Sequence, residues 1–202
     1  MEKDLTKLSV QDVQLLKENP SNDVREKTIR KLTGLYKTQS LSSTEQQIIE
    51  DIFRLILTST NIKLRFILVE NLKNCKFLPP DIVQKIVNDS AQISCPFILE
   101  TPVLTEKSML TIIRQKEEST QDAIASRAEI PFRVCESIVE ECGVEPILTL
   151  IRNEKADISD YAYQRLMERF RDNVSIQKSL LMRKKIPIYV LEKLIGMVPD
   201  DL

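Results

Sequence analysis

Two pairs of adjacent carboxylates, Glu117 with Glu118 and Glu140 with Glu141, are the residues whose spacing most resembles an acid–base couple. Such a couple needs two environments that hold the two carboxyl pKa values apart, and neighbouring positions in polar helix ends do not provide them. The chain contains no histidine, which removes Ser–His and Cys–His nucleophile pairs and most zinc sites. We therefore expect no catalytic residue and interpret these four glutamates as a candidate surface for a protein partner.

Cofactor and metal sites are also not expected. The three glycines stand far apart, so neither a Gly-x-Gly-x-x-Gly nor a Gly-Lys-Ser/Thr phosphate loop is present. None of the cysteines forms a Cys-x-x-Cys pair, which predicts reduced core thiols and no structural metal. The four thiols are Cys75, Cys95, Cys135 and Cys142.

The charge of the chain is balanced overall but uneven along its length. The net charge is −1, which gives no general attraction to nucleic acid. Residues 98–160 carry 13 acidic and 7 basic side chains, whereas residues 161–202 carry 8 basic and 5 acidic ones. The acidic middle is interpreted first as a solvated surface and, if it is functional, as a patch that meets a basic protein partner. Nucleic-acid binding through a basic C-terminal face is the alternative, with four candidate residues: Arg165, Arg169, Lys184 and Lys185.

Three polar residues follow apolar helical stripes at predicted hairpin turns: Arg127, Asn153 and Arg183. An arginine at a helix C-terminus can bond to the last carbonyls, and an asparagine there can close the turn. We interpret the three as structural residues that join neighbouring helices. The alternative is a polar ladder that holds a bound peptide.

The elements that position these residues repeat along the chain. The segment 127–134 returns at 183–190, an offset of 56, and both copies contain Ile-Pro before an apolar helical stripe. In each copy the proline is expected in the first turn of the following helix, where its missing N–H costs little. A weaker copy begins at Leu78-Pro79, at an offset of 52. Recurrence at this spacing is typical of helical hairpins stacked into a solenoid.

A second repeat places two arginines. Residues 21–32 align with residues 61–72 at an offset of 40, which matches Arg25 with Arg65. This spacing is that of HEAT-type repeats, in which such an arginine bonds to carbonyls or acids of the neighbouring repeat. Both arginines are therefore predicted to be structural.

Helix starts are marked by an apolar residue followed by a hydroxyl cap. This pair occurs at Leu8-Ser9, Leu41-Ser42, Leu104-Thr105 and Ile158-Ser159. The pattern predicts an all-α, HEAT-like α-solenoid of about 12 to 13 helices, in one domain over 1–202 with a possible seam at 38–43. Four-helix groups are expected from Asn61 to about Lys116 and from Ser119 to about Asp172.

Several of these segments together resemble the bacterial family known as domain of unknown function 2336. The matching pieces are Asp23-Val24-Arg25, Leu78-Pro79, residues 123–127, residues 150–159 and residues 180–187. The resemblance implies a HEAT-type helical repeat protein. The family has no established activity, so the resemblance implies no catalytic residue.

The amino terminus has alternating charge, and no apolar run approaches the roughly 20 residues that cross a bilayer. We therefore expect no signal peptide, no membrane insertion and a cytoplasmic location. The function that the sequence favours is a non-catalytic protein-interaction module or scaffold, and a nucleic-acid-binding HEAT-like protein is the alternative.

Overall fold

The protein is all-helical over the residues that its computed structural model describes, which are 22–38, 40–115 and 117–196. These ranges hold twelve α-helices and no strand. The helices are α1 (Asn22–Thr38), α2 (Ser43–Leu57), α3 (Ile62–Leu72), α4 (Pro80–Val87), α5 (Ala91–Glu100), α6 (Glu106–Gln115), α7 (Glu118–Ala125), α8 (Phe132–Glu141), α9 (Val144–Arg152), α10 (Asp160–Arg169), α11 (Val174–Met182) and α12 (Ile188–Ile195). The all-α prediction is confirmed, and the helix predicted after Leu8-Ser9 lies outside the described residues.

Hydroxyl caps begin helices where the sequence predicts them. Ser42 and Glu45 form a reciprocal capping box at the start of α2. The Ser159 hydroxyl accepts a hydrogen bond from the Ala162 amide at the start of α10, and the Thr105 hydroxyl accepts one from the Ser108 amide at the start of α6. Each bond satisfies an amide that the first helical turn leaves without a partner.

The repeated prolines stand one residue earlier than expected. Pro79, Pro131 and Pro187 were predicted in the first helical turn, but each is the N-cap of its helix, with ψ between 139° and 142°. Their carbonyls accept the first intrahelical hydrogen bonds, for example from the Val134 amide to the Pro131 oxygen at 2.9 Å. The extended ψ is what an N-cap residue requires, so the helix begins at the following residue.

The chain divides into two compact units, of which the first ends at Val103 and the second begins at Leu104. In the first unit, α3 packs between α1 and α5, and α2 packs on α4. In the second, α9 packs between α7 and α11, and α8 packs between α6 and α10. Each unit is therefore two layers of helices, in which a helix contacts the next but one along the chain. The segment 38–43 links α1 to α2 within the first unit.

The core of each unit consists of the apolar stripes of these helices. Leu32, Phe53 and Leu68 are completely buried in the first unit, and Ile138 and Ile151 are completely buried in the second. The predicted four-helix groups correspond to α3–α6 and α7–α10. Because α6 packs on α7 and α8, it belongs to the second unit.

Candidate interaction surface of the second unit

Three hairpin loops of the second unit connect its two layers: 126–131 between α7 and α8, 153–159 between α9 and α10, and 183–187 between α11 and α12. We call the region that they form the hairpin edge. Successive loops are joined by side chains that bond to the backbone of the preceding loop. The predicted polar residues Arg127, Asn153 and Arg183 all lie here.

Asn153 joins the second loop to the first. Its side-chain NH2 group donates to the carbonyl of Ala125 at 3.0 Å and to that of Arg127 at 2.7 Å. Its side-chain oxygen Oδ1 accepts a hydrogen bond from the Lys155 amide. It caps the end of α9 and satisfies carbonyls at the end of α7 that have no intrahelical partner. The residue therefore fixes the spacing between two neighbouring helix ends.

Arg183 joins the third loop to the second. Its guanidinium donates to the carbonyls of Ile151, Asn153 and Ala156 at 2.6 to 2.8 Å, and to the hydroxyl of Tyr163 at 3.1 Å. The side chain is buried, with 6% exposed, and the carbonyls at the C-terminal end of α9 compensate its positive charge. Four of its five N–H donors bond within the protein, which agrees with a structural role for Arg183.

Arg127 and Arg65 also occupy enclosed positions. Arg127 is 8% exposed, and burial lowers the pKa of its guanidinium. Arg65 in α3 forms a two-bond ion pair with Asp89 at 2.7 and 3.0 Å, across to the loop after α4. Its repeat counterpart Arg25 lies half-buried in the first turn of α1.

Two of the four candidate acids are held in ion pairs. Arg165 donates to both carboxylate oxygens of Glu140, at 2.7 and 3.0 Å, and Tyr161 donates to the same carboxylate at 2.6 Å. The Arg165 hydrogen bonds, followed by that of Tyr161, lower the pKa of Glu140 to about 2. Glu141 accepts from Arg114 at 3.0 Å and from the Ser137 hydroxyl at 2.9 Å.

The other two acids, Glu117 and Glu118, lie exposed at the start of α7. Neither forms an ion pair with another residue in the described ranges. Glu118 lies against Gly143, where an added Cβ would come within 3.3 Å of the carboxylate. The start of α7 is thus next to the start of α9, and the acids also complement the positive ends of these helices.

The four candidate basic residues do not form one free surface. Arg165 is paired with Glu140 and also with Glu168, and Arg169 donates to the backbone carbonyls of Val139 and Cys142. Lys184 and Lys185 remain exposed on the hairpin edge. The sequence interpretation assigned Glu140 and Arg165 to different surfaces, but the structure places them in one ion pair.

A groove with a volume of about 450 Å³ lies on the hairpin edge. Its walls are residues 154–158 of one loop and Arg183, Lys185, Ile186 and Pro187 of the next, with Tyr163 between them. Tyr163 is 3% exposed and donates to the Lys185 carbonyl at 3.1 Å. Because Arg183 and Tyr163 tie both loops together, the groove is held in shape without a ligand.

One layer of the second unit consists of α6, α8, α10 and α12. Apolar side chains are exposed at the first turn of three of these helices: Phe132 in α8, Tyr161 in α10 and Ile188 in α12. The exposed fractions are 52%, 50% and 75%. Tyr189, next to Ile188, donates to the Asp160 carboxylate at 3.0 Å, which joins the starts of α12 and α10. We call Phe132, Tyr161 and Ile188 the apolar row.

The apolar row was not identified from the sequence. Phe132 and Ile188 occupy the same position of the repeat, directly after Ile-Pro, and this recurrence was the available signal. Periodicity marks an apolar residue as a core position, whereas its exposure depends on which neighbour covers it. That information comes only with the packing of α8, α10 and α12.

The described ranges hold neither a metal-binding cluster nor a membrane-spanning helix. No group of three or more His, Cys, Asp or Glu side chains there could hold a metal ion. No helix found there is long and apolar enough to cross a membrane. Burial raises the thiol pKa of both Cys135 and Cys142 to about 12.

Comparison with known proteins gives one family. Comparisons with curated proteins and with solved structures gave no match. A family model described as "uncharacterised protein conserved in bacteria" matches residues 93–202, which is more than half of the chain and includes every helix of the second unit. The resemblance predicted from the sequence is thereby confirmed, and the chain belongs to the family of domain of unknown function 2336.

Proposed function

We propose that the protein is a non-catalytic protein-interaction module, built as a HEAT-like helical solenoid, and that a protein segment docks on the hairpin edge of its second unit. The observation that carries this proposal is the exposure of the apolar row at the first turns of α8, α10 and α12, where Ile188 directly follows the groove-lining residue Pro187. Exposed apolar side chains bordered by polar ones are typical of protein-binding surfaces. A partner would cover Tyr161 and Ile188 and extend into the groove between the two loops.

The packing within each unit supports the solenoid part of the proposal. In both units a helix contacts the next but one, which is how hairpins stack in α-solenoids. Asn153 and Arg183 repeat the same role in successive hairpins of the second unit. A scaffold of this kind holds its loops rigidly, so that a partner binds without first ordering them.

The test compares two exposed isoleucines on the same helix. Ile188 and Ile195 lie at opposite ends of α12 and are 75% and 71% exposed. We expect Ile188→Glu to remove the partner that the wild-type chain captures from cells of its source, because a charge would be buried in the contact. Ile195→Glu, the matched control, should capture the partner as the wild type does.

Other results would place the site elsewhere or reject it. Equal capture by the wild type and Ile188→Glu would contradict docking on the hairpin edge. Loss of capture only in a variant that combines Glu117→Lys and Glu118→Lys would move the site to the acidic residues at the start of α7. Of the four candidate acids, these two form no ion pair with a described residue, so their charges can interact with a basic partner.

Nucleic-acid binding through the basic C-terminal face has less support. Arg165 and Arg169 bond to Glu140 and to backbone carbonyls, which leaves Lys184 and Lys185 as the exposed cations of that set. Phosphate contacts of nucleic-acid-binding proteins depend on several available cations along one surface. Binding that nuclease treatment abolishes would favour this alternative.

A further inference from the structure

A separate cavity of about 540 Å³ lies in the first unit. It is bounded by the last turn of α1, the first turns of α2 and the loop between α3 and α4. Ligand pockets in proteins have volumes of about 300 to 1,000 Å³, so the cavity is large enough for a small organic molecule. It lies outside residues 93–202, the range of the family match, and does not depend on the proposed interaction surface.

The charge of the cavity lining is positive. Among its lining residues in the described part of the chain, two are lysines and none is acidic. Lys37 lies in the last turn of α1, where its ammonium also offsets the negative end of the helix dipole. Lys76 lies outside any helix, is exposed and forms no ion pair with a described residue. Its ammonium is therefore available to an anionic group.

One wall of the cavity is fixed by hydrogen bonds. The Tyr36 hydroxyl and the Gln46 side-chain amide both donate to the same carboxylate oxygen of Glu50, each at 2.9 Å. The Tyr36 ring packs edge-on against Phe53, with 5.3 Å between ring centroids. Arg54 lies 3.7 Å from the other carboxylate oxygen of Glu50, so the negative charge of Glu50 is offset within the protein.

Apolar and hydrogen-bonding groups complete the lining. Phe77 is 59% exposed and Leu41 is half-buried, so both can cover an apolar molecule. The carboxamide of Asn74 offers further hydrogen bonds at the same opening. A fixed wall, an apolar opening and an available ammonium together define the chemistry of a ligand.

We propose that this cavity binds a small organic anion with an apolar body, of which a medium-chain carboxylate is the simplest form. The ammonium of Lys76 meets the anionic group, with Lys37 contributing to the positive field. Phe77 and Leu41 cover the apolar part. The ligand needs both a charged and an apolar part. Water and salt screen a charge-assisted hydrogen bond at an open site, so the charge alone binds weakly. The contact of the apolar part with Phe77 and Leu41 holds the anion next to Lys76.

The test titrates octanoate into the full-length protein and measures heat by calorimetry, with octan-1-ol as the neutral molecule of equal chain length. We expect saturable octanoate binding at one site. Lys76→Met should weaken octanoate binding by about tenfold, as expected for the loss of one charge-assisted hydrogen bond. Octanol binding should stay unchanged in that variant.

Lys85→Met is the matched control, because Lys85 is an exposed lysine of the same unit that does not line the cavity. It should bind octanoate as the wild type does, whereas Phe77→Ser should weaken both molecules. Absence of saturable octanoate binding, or an equal loss in Lys85→Met, would overturn the proposal. Octanol binding as tight as that of octanoate would overturn the anionic assignment, and inorganic phosphate binding as tightly would overturn the apolar one. Unchanged circular dichroism shows that each variant is folded.

Discussion

Arg183 shows how a single side chain can hold two loops of this protein. Its buried guanidinium bonds to three carbonyls of the α9–α10 segment and to Tyr163. A planar fork of five donors suits this arrangement, and the single ammonium of lysine does not reproduce it. We therefore expect loss of the charge and a change of shape each to destabilise the fold at this position.

We predict that Arg183→Met lowers the free energy of unfolding by about 3 kcal/mol, because three buried carbonyls lose their donor. Arg183→Lys should be intermediate. Urea unfolding followed by circular dichroism measures both. The matched control is Arg171→Met, at an exposed arginine near the end of α10, which should change stability little. Equal effects at Arg171 and Arg183 would show that the bonds of Arg183 do not stabilise the fold.

The ion pair of Glu140 with Arg165 predicts a pH dependence. The folded state holds the pKa of Glu140 at about 2, below the value of about 4.3 for an unperturbed glutamate. A lowered carboxyl pKa contributes stability that is complete above the unfolded pKa and is lost as the pH falls towards the folded pKa. The contribution is therefore present at pH 7 and declines below about pH 5.

Melting temperatures of the wild type and of Glu140→Gln test this sign. We expect the wild type to melt at a higher temperature at pH 7, and the difference to shrink steadily between about pH 5 and pH 3. Glu117→Gln, at an acid without an ion pair among the described residues, should differ little from the wild type at any pH. A Glu140→Gln difference that stays constant down to pH 3 would rule out the ion pair as its source.

At the scale of the elements, helix starts were largely predictable because their signals are local. The hydroxyl caps Ser42, Thr105 and Ser159 each act through the amide three residues further on. The positions of Pro79, Pro131 and Pro187 were predicted to within one residue. The difference of one residue arises because the carbonyl of an N-cap residue already accepts an intrahelical hydrogen bond, although its φ and ψ angles are not helical.

The capping box of α2 gives a prediction for a single element. Ser42→Ala removes the hydroxyl that accepts the Glu45 amide, and the expected loss is about 1 kcal/mol of folding stability. Ser43→Ala is the matched control, because Ser43 is the first residue of the helix and has no capping role. Thermal unfolding of both variants measures the difference. If the two substitutions had the same effect, the capping box would not stabilise α2.

Pairs between neighbouring helices were less predictable than helix starts. Glu140 and Arg165 are 25 residues apart and meet only because α8 and α10 pack side by side. From the charge count along the chain, Glu140 was assigned to the acidic segment 98–160 and Arg165 to the basic segment 161–202. Asn153 and Arg183 were predicted as structural residues from their place at helix ends, but their partners across the loops follow from the packing of α7, α9 and α11.

At the scale of the whole molecule, the two proposals concern different parts of the chain. The hairpin edge lies within the residues that match the family model, and the cavity that contains Lys76 lies before them. A variant at one site should therefore leave binding at the other unchanged. Ile188→Glu should still bind octanoate, and Lys76→Met should still capture the protein partner.

The most direct test of the central claim is capture of partners by the tagged wild-type chain from cells of its source, with and without nuclease digestion. A protein-interaction module predicts a specific protein that is retained after digestion and is lost with Ile188→Glu but not with Ile195→Glu. Nucleic acid bound at physiological salt, with every captured protein lost after digestion, would contradict that claim.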